Sequence, residues 1–153
     1  FDMTKVLESQ NVILELSGKT KREIIEELVD LLDRNSKLVG RAQAFDAVWE
    51  REQTMSTGMQ FGVAIPHGKA ECVGPLIVAI GFKHDGVDFD SLDGEPSHIF
   101  VLVISSPSTT GPHIQFLAAL GALFNDPDIR ETLLSCTSKE EVCDIIINHS
   151  TRK

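Results

Sequence analysis

The chain is short of the features that mark several protein classes. No apolar run approaches the ~18 residues a membrane span requires, and no signal-peptide pattern opens the sequence. The cytoplasm is therefore the expected compartment, with no direct membrane span. Cysteine is scarce: Cys72, Cys136 and Cys143 include no C-x-x-C pair. That excludes a disulfide framework or zinc knuckle and leaves three small core or half-buried residues in a reducing compartment. Positive charge is also scarce, with 14 Lys and Arg against 23 Asp and Glu and a net charge of −9. Such a surface repels a phosphate backbone, so no nucleic acid partner is expected. A Walker loop, a dinucleotide fingerprint and a G-x-S-x-G elbow are all missing, which argues against a bound nucleotide and a Ser-His-Asp hydrolase.

What is present describes one folded domain over residues 1–153, with its core at about 4–149. Residues 12–16 are short and β-prone, a first strand. Thr20-Lys21-Arg22-Glu23 reads as a capping box. Ile24, Ile25, Leu28, Val29, Leu31 and Leu32 then repeat at helical spacing. A second helix, from about Arg41 to near Thr54, carries Phe45, Val48 and Trp49 on one side. Residues 63–65, 76–82 and 99–104 are apolar runs of strand length, the last two nearly continuous. Such runs suit central strands covered on both faces. The alternation over 86–90 suggests a short edge strand, followed by a turn at Asp93-Gly94. Pro112-His113 opens a helix whose expected buried stripe is Ile114, Leu117, Leu120 and Phe124. Asp126-Pro127 breaks it, and 129–134 form a short helix. Ser138-Lys139-Glu140-Glu141 is a second capping box, with Val142, Ile145 and Ile146 inward. The fold class is α/β, a single mixed β-sheet sandwiched between helices in three layers.

Chemistry concentrates in 51–69, which reads REQTMSTGMQFGVAIPHGK. Pro66 and Gly68 flank His67 and interrupt regular structure on both sides, which offers its imidazole at a strand end. In an open α/β sheet that edge is where ligands sit. A neutral imidazole is a nucleophile near neutral pH and can hold a phosphoryl group on a ring nitrogen. A lone histidine is more often structural, but His113 occupies a matching place at a helix start, after the strand 99–104. If that strand lies beside the one ending at Pro66, both rings reach one edge of the sheet. A helix N-terminus there disfavours the imidazolium and offers N–H groups to an anion. Arg51 supplies a planar fork that fits phosphate oxygens, although taken alone it is more often a solvated helix residue. Ser56 and Thr57 could donate hydroxyls to a phosphate or simply shape a loop. A zinc site of the two histidines with Cys72 or a carboxylate would need distant residues to converge, since no H-E-x-x-H spacing occurs. His84, His98 and His149 read as surface or structural.

These residues together resemble a known signature. Gly62-Val63-Ala64-Ile65-Pro66-His67-Gly68, preceded by Arg51-Glu52 and Ser56-Thr57-Gly58 and followed by Pro112-His113-Ile114, is similar to the enzyme IIA domains of the mannitol/fructose class. Those domains belong to the bacterial phosphoenolpyruvate-dependent sugar phosphotransferase system. The likeness runs over nearly the whole chain, and Met59-Gln60-Phe61 departs from the small residues often found there. The resemblance implies that His67 is transiently phosphorylated by the phosphocarrier HPr and passes the group to a IIB domain or subunit. It implies that His113 orients His67 or the phosphate, and that Arg51 sits by the phosphoryl group. It implies no metal or organic cofactor. Apolar loop residues such as Met59 and Phe61 would then form a docking patch. The chain carries no IIB or IIC segment, so a free-standing IIA or an excised domain is expected. The nitrogen-related branch of the same family offers an alternative, in which phosphorylation of His67 controls binding to a target protein.

Overall fold

The computed structural model describes residues 3–151. Its centre is the antiparallel pair β4 (Leu76–Val87) and β5 (Ser97–Ser105), in register at Ile80 and Val101. Alternate residues of β5 serve opposite cores. Ile99, Val101 and Val103 pack on one face, and Phe100, Leu102 and Ile104 on the other. That explains why the run is apolar without alternation. On the outer edge of β4 lies the parallel β1 (Val12–Ile13). On the outer edge of β5 lie two short parallel pieces, β2 (Val63–Ala64) and β3 (His67–Lys69). They form one broken strand. Pro66 cannot donate to the ladder, but its carbonyl accepts from Val103 N at 3.0 Å, so pairing resumes at His67.

Two helices, α1 (Lys21–Arg34) and α2 (Arg41–Thr54), cover one face of the sheet. The helices α3 (Gly111–Phe124), α4 (Pro127–Leu134) and α5 (Lys139–Thr151) cover the other. The result is the expected three-layer α/β sandwich with a mixed sheet. Both capping boxes form: Thr20 Oγ1 accepts from Glu23 N, and Ser138 Oγ accepts from Glu141 N, each at 3.2 Å.

Four boundaries differ from expectation. The first strand stops at Ile13 because Val12 and Leu16 fill cores on opposite faces, which the two-residue period of an unbroken strand forbids. No separate edge strand forms over 86–90; Val87 instead closes β4 beyond an irregularity that follows Phe82. The buried stripe of α3 is His113, Phe116, Leu120, Leu123 and Phe124, while Ile114 is 62% exposed. That helix is apolar on most sides, so periodicity could not choose the face. Finally, α4 starts at Pro127, with the Asp126 side chain accepting from Asp128 N at 2.9 Å.

Candidate active site

The break between β2 and β3 places His67. In β3 successive side chains alternate, so His67 faces the α3 side while Gly68 faces α2. Gly68 has a steric reason to be glycine: a Cβ there would lie 3.0 Å from Val48 N and 3.1 Å from Ala47 C. The backbone of α2 thus rests directly on β3, which brings the last turn of α2 and its Arg51 to the site. The interruption by Pro66 and Gly68 is narrower than expected, since Gly68 remains in the strand.

His67 is half-buried, and its Nδ1 lies 2.9 Å from Ile65 O. A carbonyl only accepts, so Nδ1 carries the proton and Nε2 keeps its lone pair. Burial lowers its proton affinity, and the Arg51 charge adds to the effect; the Ile65 hydrogen bond and the Glu52 charge oppose it. The ring is neutral at pH 7. His113, in the first turn of α3, lies beside it with ring centroids 5.6 Å apart, edge to face. Its Nδ1 is hydrogen-bonded to Ser105 Oγ. Burial, then the neighbouring charges of His67 and Lys69, push the pKa of His113 down to about 4. Lys69 also donates to Thr109 O on the loop leading into α3.

His67 and Arg51 line one cleft of about 240 Å³, whose wall includes Met55, Thr57, Leu92 and Leu117. Arg51 Nη1 donates to Met55 O at 2.8 Å, which holds the guanidinium against the loop. The three residues singled out in the sequence thus meet at one sheet edge. Of the two alternatives for the hydroxyls, the loop-shaping one is seen. Ser56 Oγ donates to Phe89 O at 2.5 Å, and Thr57 Oγ1 donates to Glu52 Oε1 at 2.5 Å. Both are committed to shaping the loop. Glu52 stands next to Arg51 in the signature, but its sequence context assigns it no role of its own; its burial, at 3% exposure, marks it. Leu92, 78% exposed on the cleft rim, gave no periodic signal. Among the described residues no three His, Cys, Asp or Glu side chains are grouped to hold a metal ion.

Comparison with known proteins places the chain in a family. The family model of the phosphoenolpyruvate-dependent sugar phosphotransferase system, EIIA 2, matches residues 5–149. The chain is 35% identical over 147 residues to the fructose-specific EIIABC component of Bacillus subtilis, covering 96% of this chain but only 23% of that protein. It is 33% identical over 145 residues to the fructose-specific EIIA component of Haloferax volcanii, covering 95% and 94% of the two chains. The crystal structure of nitrogen regulatory protein IIA-Ntr from Neisseria meningitidis superposes with a TM-score of 0.85 at 33% identity, over 93% of this chain and 97% of that one. With a family model spanning nearly its whole length, the chain belongs to the EIIA 2 family of the phosphoenolpyruvate-dependent sugar phosphotransferase system.

Proposed function

We propose that this chain relays phosphoryl groups through His67, taking them from phospho-HPr and passing them to a IIB domain for uptake and phosphorylation of a fructose- or mannitol-class sugar. The observation that carries this reading is the hydrogen bond from His67 Nδ1 to Ile65 O, which leaves the Nε2 lone pair uncommitted among the described residues. In the first step that lone pair attacks phosphorus. The Nε2–P bond forms as the bond to the donor on HPr breaks, and the donor keeps the electron pair. In the second step an acceptor on IIB attacks phosphorus, and the electron pair of the Nε2–P bond returns to the ring. Arg51, on the wall of the same cleft, balances charge on the phosphoryl oxygens. In the tautomer where the Ser105 hydroxyl donates to Nδ1, the Nε2–H of His113 can donate to the same group. Met55 and Leu92, 67% and 78% exposed on the cleft rim, supply an apolar surface for the protein partners.

The fructose-specific names of the two curated relatives favour the transport reading. The likeness to a nitrogen regulatory IIA structure favours a second one, in which the same phosphohistidine governs binding to a target and no sugar is delivered. Incubation with phosphoenolpyruvate, enzyme I and HPr, then with IIB domains of the fructose and mannitol class, separates them. Acid-labile label on His67 that moves on to IIB supports transport. Label that stays on the chain supports regulation, and no label on folded protein overturns both.

A further inference from the structure

Glu52 is a buried carboxylate beside the site, and the phosphoryl chemistry above makes no use of it. Its side chain is fully shielded from solvent, a costly position for a charge unless every oxygen is bonded. The bonds are there. Oε2 accepts from Lys21 Nζ at 3.0 Å and from Thr57 N at 2.9 Å, and Oε1 accepts from Thr57 Oγ1 at 2.5 Å. Lys21, at the start of α1, also reaches Asp90 Oδ2 at 2.8 Å and lies 5.3 Å from the centroid of the Phe89 ring. One ammonium therefore joins two segments that are distant in sequence, 55–58 and 89–92.

Those segments form neighbouring parts of the cleft wall, contributing Met55 and Thr57 from the first and Leu92 from the second. They are stitched together further by Ser56 Oγ donating to Phe89 O and by Leu92 N donating to Gly58 O at 3.4 Å. Arg51 is clamped to the first segment through Met55 O. Residues 57–59 pair with 63–65, with Ile65 N donating to Thr57 O at 3.1 Å and Met59 N to Val63 O at 2.7 Å, but the junction between 55–58 and 89–92 has no such ladder. The ion pair reinforces that junction.

We propose that Lys21 and Glu52 are positioning residues for phosphoryl transfer: their buried ion pair holds the two parts of the cleft wall and, through the loop, the Arg51 guanidinium at the distance His67 requires. The inference rests on the phosphotransfer reading. Transfer depends on sub-ångström placement, so slack in this wall lowers the rate at saturating donor more than it weakens docking, because the exposed apolar rim stays intact. The charged and titratable groups that face His67 are Arg51 and Glu52 from α2 and His113 from α3; Lys21 from α1 is bonded to Glu52, and Asp90 reaches it only through Lys21. Removing the carboxylate charge therefore leaves Arg51 unopposed and moves the His67 titration to lower pH, a change that a purely structural anchor would not produce.

The test measures single-turnover transfer from phospho-HPr for wild type, Glu52→Gln, Lys21→Met and Thr57→Val, with the surface-pair variant Glu26→Gln as control. Transfer at saturating donor is expected to fall about 10-fold to 100-fold in Glu52→Gln and Lys21→Met, with KM little changed and Glu26→Gln unaffected. Amide exchange of Thr57 and Leu92 quickens in the same variants. Should Glu52→Gln fail to fold, Thr57→Val keeps the ion pair, removes one partner of Oε1 and is expected to show the same change in smaller measure. Wild-type transfer, unchanged exchange and an unmoved His67 titration in a folded Glu52→Gln overturn the proposal. Absence of label on the wild type counts against the phosphotransfer reading instead, and the exchange measurement then decides the clamp by itself.

Discussion

A pair of histidines stands at each end of β5, and the two pairs differ in what their rings are bonded to. At its start, His84 and His98 are spent on structure. His84 Nδ1 lies 2.6 Å from Glu15 Oε1 and Nε2 lies 2.8 Å from Leu134 O, so both nitrogens donate. Two acceptors require two protons, and the Glu15 hydrogen bond raises the pKa of His84 accordingly. His98 Nδ1 donates to the carbonyls of Lys83 and His84. At the other end, His67 and His113 are neutral, pushed down by burial. His67 gives only one nitrogen to the backbone. His84 serves as a strut with both nitrogens on oxygens and His98 as one held through Nδ1, whereas His67 keeps one nitrogen open where it lines the cleft with Arg51. Residue type alone does not make the distinction; the partners of the ring do.

The sharpest way to break this comparison is to exchange the pairs in an assay. His67→Ala is expected to abolish labelling by phosphoenolpyruvate, enzyme I and HPr, while His84→Ala labels fully; autoradiography of acid- and base-treated samples reads both. His113→Ala should still take label on His67 but transfer it about 10²–10³-fold more slowly, the cost of losing one aligned donor, measured by rapid quench.

The pairs also differ in how they couple to pH. The folded-state pKa of His113, about 4, lies below its unfolded value near 6.5, so its contribution is fully present above that value. That contribution is lost as pH falls between the two. His84 runs the other way. Its folded value is raised, so its contribution is present below the unfolded value and lost as pH rises through the folded one. Being half exposed, it contributes less. Thermal melts across pH should lose their acid limb in His113→Gln and change only slightly, near neutrality, in His84→Gln.

The smallest effect concerns the surface next to the cleft, where Phe61 lines a hollow with Met59 and Leu92. Phe61 is 55% exposed, stands 4.4 Å beneath the Arg130 guanidinium and holds a left-handed φ of 65° that its N–H bond to Asp93 supports. Phe61→Ala should leave the melting temperature unchanged and slow transfer by about 10-fold or less, as expected of one apolar contact at a docking surface. Unchanged transfer would remove Phe61 from that surface.

The sequence made most of the fold legible because its signals were local. Capping boxes at Thr20 and Ser138, the stripe in α1 and the two apolar runs of β4 and β5 each specify their element with little help from the rest of the chain. What was misread depended on tertiary partners. The face of α3 is decided by what it packs on, and the end of β1 is decided by Leu16 crossing to the other core. The same holds for the site. His67 and His113 carried their own markers in Pro66, Gly68 and Pro112, and Arg51 was legible through the signature it shares with them. Glu52 carried no marker of its own, because a carboxylate in the last turn of a helix looks solvated until Lys21 and Thr57 arrive from elsewhere.

The central claim is that Nε2 of His67 carries the phosphoryl group. Nitrogen-15 and phosphorus-31 NMR of the ring-labelled chain, phosphorylated through HPr, tests it most directly. The account predicts phosphorus coupled to Nε2 of His67 alone, with Nδ1 still protonated on Ile65 O. Phosphorus on Nδ1, or on any other histidine, would contradict it.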